Sequence, residues 1–186
     1  MKNGFSLIEL MITVLVLAIA IAVGAPSFTG TIQNNRLAGQ TNSINGALSY
    51  VRTEAVKLNG DVSICSSSDQ STCNNTGAWE DGWVIFIDDD GNGVRAADET
   101  ILRVGEPLQG NNTLRLDGFA SANAITFDNQ GRITSSGTLV FCDEREEEEA
   151  VGIVINISGQ TRKAVDQDDP KNSIINAHDG DDVACP

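Results

Sequence analysis

The sequence is poor in histidine, aromatic residues and positive charge. It has one histidine, one tyrosine, two tryptophans and six phenylalanines, and 12 basic residues face 26 acidic ones, for a formal net charge of −14. A chain this acidic repels nucleic acid unless a local basic patch overrides its field. It has no G-x-S-x-G, no phosphate-binding Gly-rich loop and no H-E-x-x-H, and its single His178 stands in a polar tail, so enzymatic chemistry finds no support. Zinc is excluded on similar grounds. There is no C-x-x-C, and His178 lies apart from any paired thiols.

What is present begins with an even set of cysteines, Cys65, Cys73, Cys142 and Cys185. Two disulfides formed in an oxidising compartment account for them, and three pairings are open. The favoured one joins Cys65 to Cys73 around a short polar loop and Cys142 to Cys185, fastening the C-terminal tail. The acidic block over residues 144–149, broken only by Arg145, reads as a solvated, mobile loop.

From Phe5 to Ala25 the chain is almost wholly apolar, and Glu9 is its only charge. About 20 such residues suffice to cross a bilayer as a helix. The run is too long for a secretory signal, and no A-x-A-like cleavage site ends it cleanly. Lys2 before it keeps the N-terminus cytoplasmic and sends the rest across. A carboxylate inside such a run is costly in lipid, so Glu9 calls for a partner or for headgroup depth.

The string Gly4-Phe5-Ser6-Leu7-Ile8-Glu9 resembles the processing motif of type IV pilins and of the pseudopilins of type II secretion. The resemblance implies that a prepilin peptidase cuts between Gly4 and Phe5 and that Phe5 is then N-methylated. It also implies that Glu9 neutralises the α-amino group of a neighbouring subunit, a pairing strongly favoured at low dielectric.

Pro26 should kink the helix or mark its exit from the bilayer. Beyond it Phe28, Ile32, Leu37, Ile44, Leu48, Val51, Ala55 and Leu58 recur mostly every three to four residues, which predicts an amphipathic helix facing a sheet. Gly30, Gly39 and Gly46 should bend or melt it locally, and Asn59-Gly60 should end it. Short β-prone runs follow at 62–65, 83–87, 101–104, 113–116, 124–127, 137–141 and 152–157, divided by Gly, Asn and Asp turns. The expected fold class is α+β, a pilin-like fold with a long N-terminal helix on an antiparallel β domain. The expected divisions are a leader at 1–4, a transmembrane and assembly helix at 5–26, an amphipathic helix at 27–59 and a β-rich domain at 60–186.

The stretch from Trp79 to Asp88 (WEDGWVIFID) is similar to the W-x-x-G-W-x-x-F-x-D signature of the GspH/FimT group of minor pilins, as are Phe141-Cys142-Asp143 and the late Cys185. Trp79 and Trp83 read as core packing. The resemblance implies a minor pilin of a type IV pilus, acting in assembly initiation or at the tip; the alternative is a minor pseudopilin of type II secretion. Its partners would be other pilins through the N-terminal helix and the prepilin peptidase. Its place would be the bacterial inner membrane, single-pass with a periplasmic C-terminal domain, and then the pilus or pseudopilus.

Two further sites follow from residue spacing. Asp88, Asp90, Asn92, Val94 and Glu99 fit D-x-[DN]-x-[DN]-G-x5-E, the calcium-loop pattern, with Gly93 at the sharp turn. The loop follows a strand rather than a helix, and an ordinary Asp/Asn/Gly hairpin loop is the preferred reading, with Ca2+ as the other. Some FimT-like minor pilins capture DNA through a G-R-x-R-type motif. The matching stretch here runs from Gly159 to Lys163; Gln160 replaces the first arginine, leaving Arg162 and Lys163 for weak, salt-sensitive phosphate contacts.

Overall fold

The computed structural model describes residues 6–168 and 170–186, apart from the side chains of 23–27. Gly4 and Phe5 therefore lie outside the described residues. One helix, α1, runs over Leu7–Leu58. Eight strands follow: β1 Val62–Ser66, β2 Trp83–Ile87, β3 Ile101–Gly105, β4 Thr113–Asp117, β5 Ala124–Phe127, β6 Gly137–Cys142, β7 Val151–Ile155 and β8 Thr161–Lys163. They form two four-stranded sheets, ordered β3-β2-β1-β5 and β4-β6-β7-β8, and every pairing is antiparallel.

The chain divides into two compact units, Met1–Arg36 and Leu37–Pro186, and α1 contributes to both. In the second unit the helix buries Leu37, Ile44, Ala47, Leu48, Val51 and Ala55 in one core with Ile64, Trp79, Trp83, Phe127 and Phe141 from the β part. Spacings of three and four residues put these helical side chains on one face, as the periodicity predicts. The earlier members of the predicted stripe behave differently: Phe28 is 69% exposed and Ile32 58%.

The helical backbone passes through residue 26 and through Gly30, Gly39 and Gly46 without a break, against the expected local melting. Each glycine costs about 1 kcal/mol relative to alanine. In the second unit, burial of the apolar face outweighs that cost, since tertiary packing rather than propensity supplies most helical stability. The helix ends where Asn59 turns to φ 54° and Gly60 N–H reaches back to Ala55 C=O at 3.2 Å, a left-handed C-cap.

The W-x-x-G-W string has a steric origin. Trp79 is fully buried and its Nε1–H donates to Ala122 C=O at 2.9 Å. Gly82 adopts φ 118°, and a Cβ there would stand 2.7 Å from Gly105 C=O. Across the β2–β3 ladder a Cβ on Gly105 would lie 2.0 Å from the Trp83 ring, so the indole occupies the space a side chain would fill. These tryptophans are core residues.

Disulfides join Cys65 to Cys73 and Cys142 to Cys185. The acidic block forms a 3-10 turn over Glu146–Glu149 with none of its residues buried. Arg145 pairs with Asp143 at 2.6 Å and with Glu149 at 3.4 Å, and Glu147 accepts the Cys185 N–H at 3.1 Å. Charge pairing and the adjacent disulfide hold the block against the sheet.

Candidate functional site

The predicted calcium loop leaves the end of β2 and returns into β3. Asp88 is 1% exposed. Its Oδ2 accepts Ser63 Oγ–H at 2.5 Å and Gly93 N–H at 2.9 Å, while Oδ1 accepts Asn92 N–H at 3.1 Å. Glu99, also buried, accepts the N–H groups of Asp89 at 3.0 Å and Ala96 at 2.7 Å. Carboxylate oxygens of Asp88, Asp90 and Glu99 come within 4.8 Å of one another. Among the described residues, no lysine or arginine forms an ion pair with any of the three.

Backbone N–H groups thus hold the carboxylates in place without neutralising them. A hard divalent cation with oxygen ligands would be the matching counter-charge. Two of the predicted ligands stand differently. Asn92 Oδ1 accepts Val94 N–H at 2.6 Å, and its Nδ2 donates to Asp90 Oδ2 at 2.6 Å, so the amide is committed within the loop. Val94 is exposed.

Three supporting residues had no signature in the sequence. Ser63 is buried on β1, donates to Asp88 and lies 2.6 Å from Thr126 Oγ1 on β5. Arg95 anchors the loop through Nη1 to Ser71 C=O at 3.0 Å and Nη2 to Glu99 C=O at 2.8 Å, and its N–H meets Cys73 Sγ at 3.3 Å. Period-two alternation with Cys65 could have flagged Ser63 as facing the disulfide side, whereas Thr126 and Arg95 are brought in by long-range packing.

In the first unit Glu9 occupies the first turn of α1 and is exposed. Its N–H donates to Ser6 C=O at 3.1 Å, and its carboxylate stands at the positive end of the helix dipole. Apolar residues from Leu7 onward surround it and are exposed on every face. Among the described residues no helix is long and apolar enough to cross a membrane. Arg162 and Lys163 are exposed neighbours on β8, so their side chains leave opposite faces of the strand and do not form one basic patch.

Residues 40–159 match the family described as Type II transport protein GspH, and residues 1–25 match the prokaryotic N-terminal methylation motif. The chain belongs to the GspH family. With the methylation motif, membership makes it a minor pilin or pseudopilin of a type IV pilus or type II secretion system. GspH proteins are structural subunits rather than enzymes, and their N-terminal motif anchors them in the membrane before they join a pilus or pseudopilus.

Among solved structures the fold is similar to the type IV minor pilin FimU of Pseudomonas aeruginosa strain PAO1. That match has a TM-score of 0.57 at 21% identity and covers 70% of this chain and 90% of FimU. A second crystal form of FimU gives a TM-score of 0.52 at 22% identity, covering 68% and 91%. The minor pseudopilin EpsH of the Vibrio cholerae type 2 secretion system matches with a TM-score of 0.48 at 12% identity, covering 72% and 99%. No curated protein sequence matches.

Proposed function

We propose that this GspH-family chain is a minor pilin of a type IV pilus, acting when assembly begins or at the fibre tip. One observation carries the reading: a methylation motif and a GspH β domain occur in one chain, bridged by an unbroken helix from Leu7 to Leu58. The leader of residues 1–4 is removed after Gly4, and Phe5 becomes the methylated N-terminus. Before assembly, residues 5–26 hold the subunit in the inner membrane with its β domain periplasmic. On assembly this segment enters a bundle of neighbouring helices, where Glu9 pairs with the α-amino group of another subunit. Such a pair is much less costly than either charge alone in an apolar bundle.

Mass spectrometry of the N-terminus tests the proposal. In a host with prepilin peptidase the mature chain should begin at methylated Phe5, and deleting the peptidase should leave residues 1–4 attached. A chain that keeps its leader in a wild-type host would defeat the reading. Recovery of the mature protein in sheared pili, and its absence from them when other minor pilins are deleted, would support the pilus assignment. A minor pseudopilin of type II secretion has the same leader and the same family domain, and recovery only in secretion pseudopili would favour it.

We also propose that the loop from Asp88 to Glu99 takes Ca2+, with Asp88, Asp90 and Glu99 as its carboxylate ligands. Their proximity, with no ion pair to any of the three among the described residues, supports this. Calorimetry of the full chain in detergent decides it, and no heat at millimolar calcium would reject the site.

A further inference from the structure

Each of the two sheets has two edge strands, and three of the four edges carry charge. β3 has Arg103 and a register irregularity opposite Ile85/Phe86; β4 has Arg115 and Asp117; β8 has Arg162 and Lys163. Charges and bulges of this kind keep an exposed edge from pairing with another chain. β5 reads Ala-Ile-Thr-Phe and has neither.

Its outer edge is also chemically open. Ser66 N–H donates to Asn123 C=O at 3.0 Å, which sets the phase of the β1–β5 ladder. In that phase Ala124 and Thr126 turn their backbone N–H and C=O groups away from β1. No other backbone group among the described residues meets them. They open onto a groove of about 510 Å³ whose walls include Phe119, Ile133 and Ile157. Ile157 is 58% exposed at the mouth.

The far end of the groove is acidic. Asp61 and Asp128 line it and Asp88 stands close behind, whereas Arg132, the one cation lining it among the described residues, is bound to Asp128 at 2.9 Å. Asp61 has no cationic partner among the described residues.

We propose that this groove receives an extended segment of a different polypeptide, added as a new strand to the free edge of β5. Its backbone pairs with Ala124 and Thr126, its apolar side chains lie on Phe119, Ile133 and Ile157, and a lysine or arginine sits at the Asp61 end. Groups spaced two residues apart along an edge match the backbone of another strand, the β-augmentation mode of recognition. A second copy of this chain fits poorly, because each copy carries a net charge of −14. The inference deepens the proposed subunit function and rests on it only for where the partner is met.

The test places a photoreactive benzoylphenylalanine at Thr134, an exposed residue of the groove wall, in the full chain expressed in its host. The expected adduct joins another protein within an extended segment that carries a lysine or arginine beside alternating apolar residues. Ala124→Pro removes one outward N–H and blocks the edge, and should lower the adduct yield about tenfold with both disulfides formed. Should Ala124→Pro misfold, Asp61→Lys serves instead and should lower the yield similarly. An adduct no stronger than from the same probe at Val104 on β3 overturns the proposal. So does an adduct mapped to a helix or to a second copy, or a yield that neither variant changes. Retention of the leader would sink the assembly reading but not this one, whereas a correctly processed chain with no Thr134 adduct sinks this one alone.

Discussion

The two stretches of α1 share one backbone conformation and have opposite surroundings. In the first unit Leu15 is 61% exposed and its apolar neighbours are much alike; in the second, Leu48 is 1% exposed within the core. Hydrophobic composition is therefore a poor guide to which part of this helix folds against its own chain. Apolar residues on every face, as at residues 7–22, want a surrounding apolar medium or other helices; a single apolar stripe, as at residues 37–55, wants one sheet. This contrast is the physical basis for reading the first stretch as the assembly segment and the second as part of the folded domain.

The sharpest way to break the contrast is to put a charge in each stretch. Val51→Asp places an unpaired carboxylate where exposure is 0%, and should cost about 5 kcal/mol or unfold the β unit outright. Val16→Asp should leave the melting of the β unit unchanged in detergent, because Val16 is exposed. Equal effects on the β-unit melting curve would mean that the first stretch shares its core.

Next in size are the disulfides, which belong to the second unit alone. Cys142–Cys185 spans 43 residues and Cys65–Cys73 spans 8. Loop-closure entropy gives about 4 kcal/mol for the longer and about 2.5 kcal/mol for the shorter. Paired Cys→Ser variants, followed by denaturant titration, should show that order. The reverse order would mean that the short bridge matters chiefly by holding Arg95 and the acidic loop, through the contact at Cys73.

Calcium comes third. If Asp88, Asp90 and Glu99 bind it, calcium at a hundred times its dissociation constant should stabilise the second unit by about 2.7 kcal/mol. Asp88→Asn should remove most of that gain, and the helical signal of the first stretch should not respond. A calcium-induced rise in melting temperature that survives Asp88→Asn would place the ion elsewhere.

Local patterns made much of the fold legible: the helical periodicity, the seven β runs and the Asn59-Gly60 stop all depend on neighbours within a few residues. β8 escaped because Thr161–Lys163 is too short and too polar to look like a strand; its ladder with Ile153–Ile155 defines it. The fit of Trp83 against Gly105 has no local signature either, because the missing Cβ matters only across the β2–β3 ladder. The acidic loop could be read because all its carboxylates lie within one turn of sequence. For Ser63, which braces it, alternation with Cys65 gives only the side of the strand, because its bond to Asp88 spans 25 residues. The groove beside β5 draws on residues from Asp61 to Ile157, and no local pattern announces such a meeting.

The smallest effect concerns acid titration, and it also separates the two units, since Glu80 and Asp61 both lie in the second. Burial acts to raise the Glu80 carboxyl, but the hydrogen bond and charge of Arg115 overcome it and leave it below its ordinary 4.5. The Glu80–Arg115 pair therefore contributes its stability above about pH 4.5, and that contribution is lost as pH falls through the lowered folded value. Asp61 has the opposite sign. Its raised carboxyl favours the folded state below its ordinary 3.8, and this is lost as pH rises through the higher folded value. Glu80→Gln should flatten the acid limb of the stability curve by roughly 0.5–1 kcal/mol, the range for a partly exposed pair. Asp61→Asn should instead raise stability at neutral pH relative to pH 3. Because the second unit contains both groups, its melting should follow these variants while detergent-held α1 helicity from the first stretch stays flat across the same pH range. A parallel acid response in the helical signal would mean that the first stretch unfolds together with the β unit, and the contrast between the two would then be one of exposure alone.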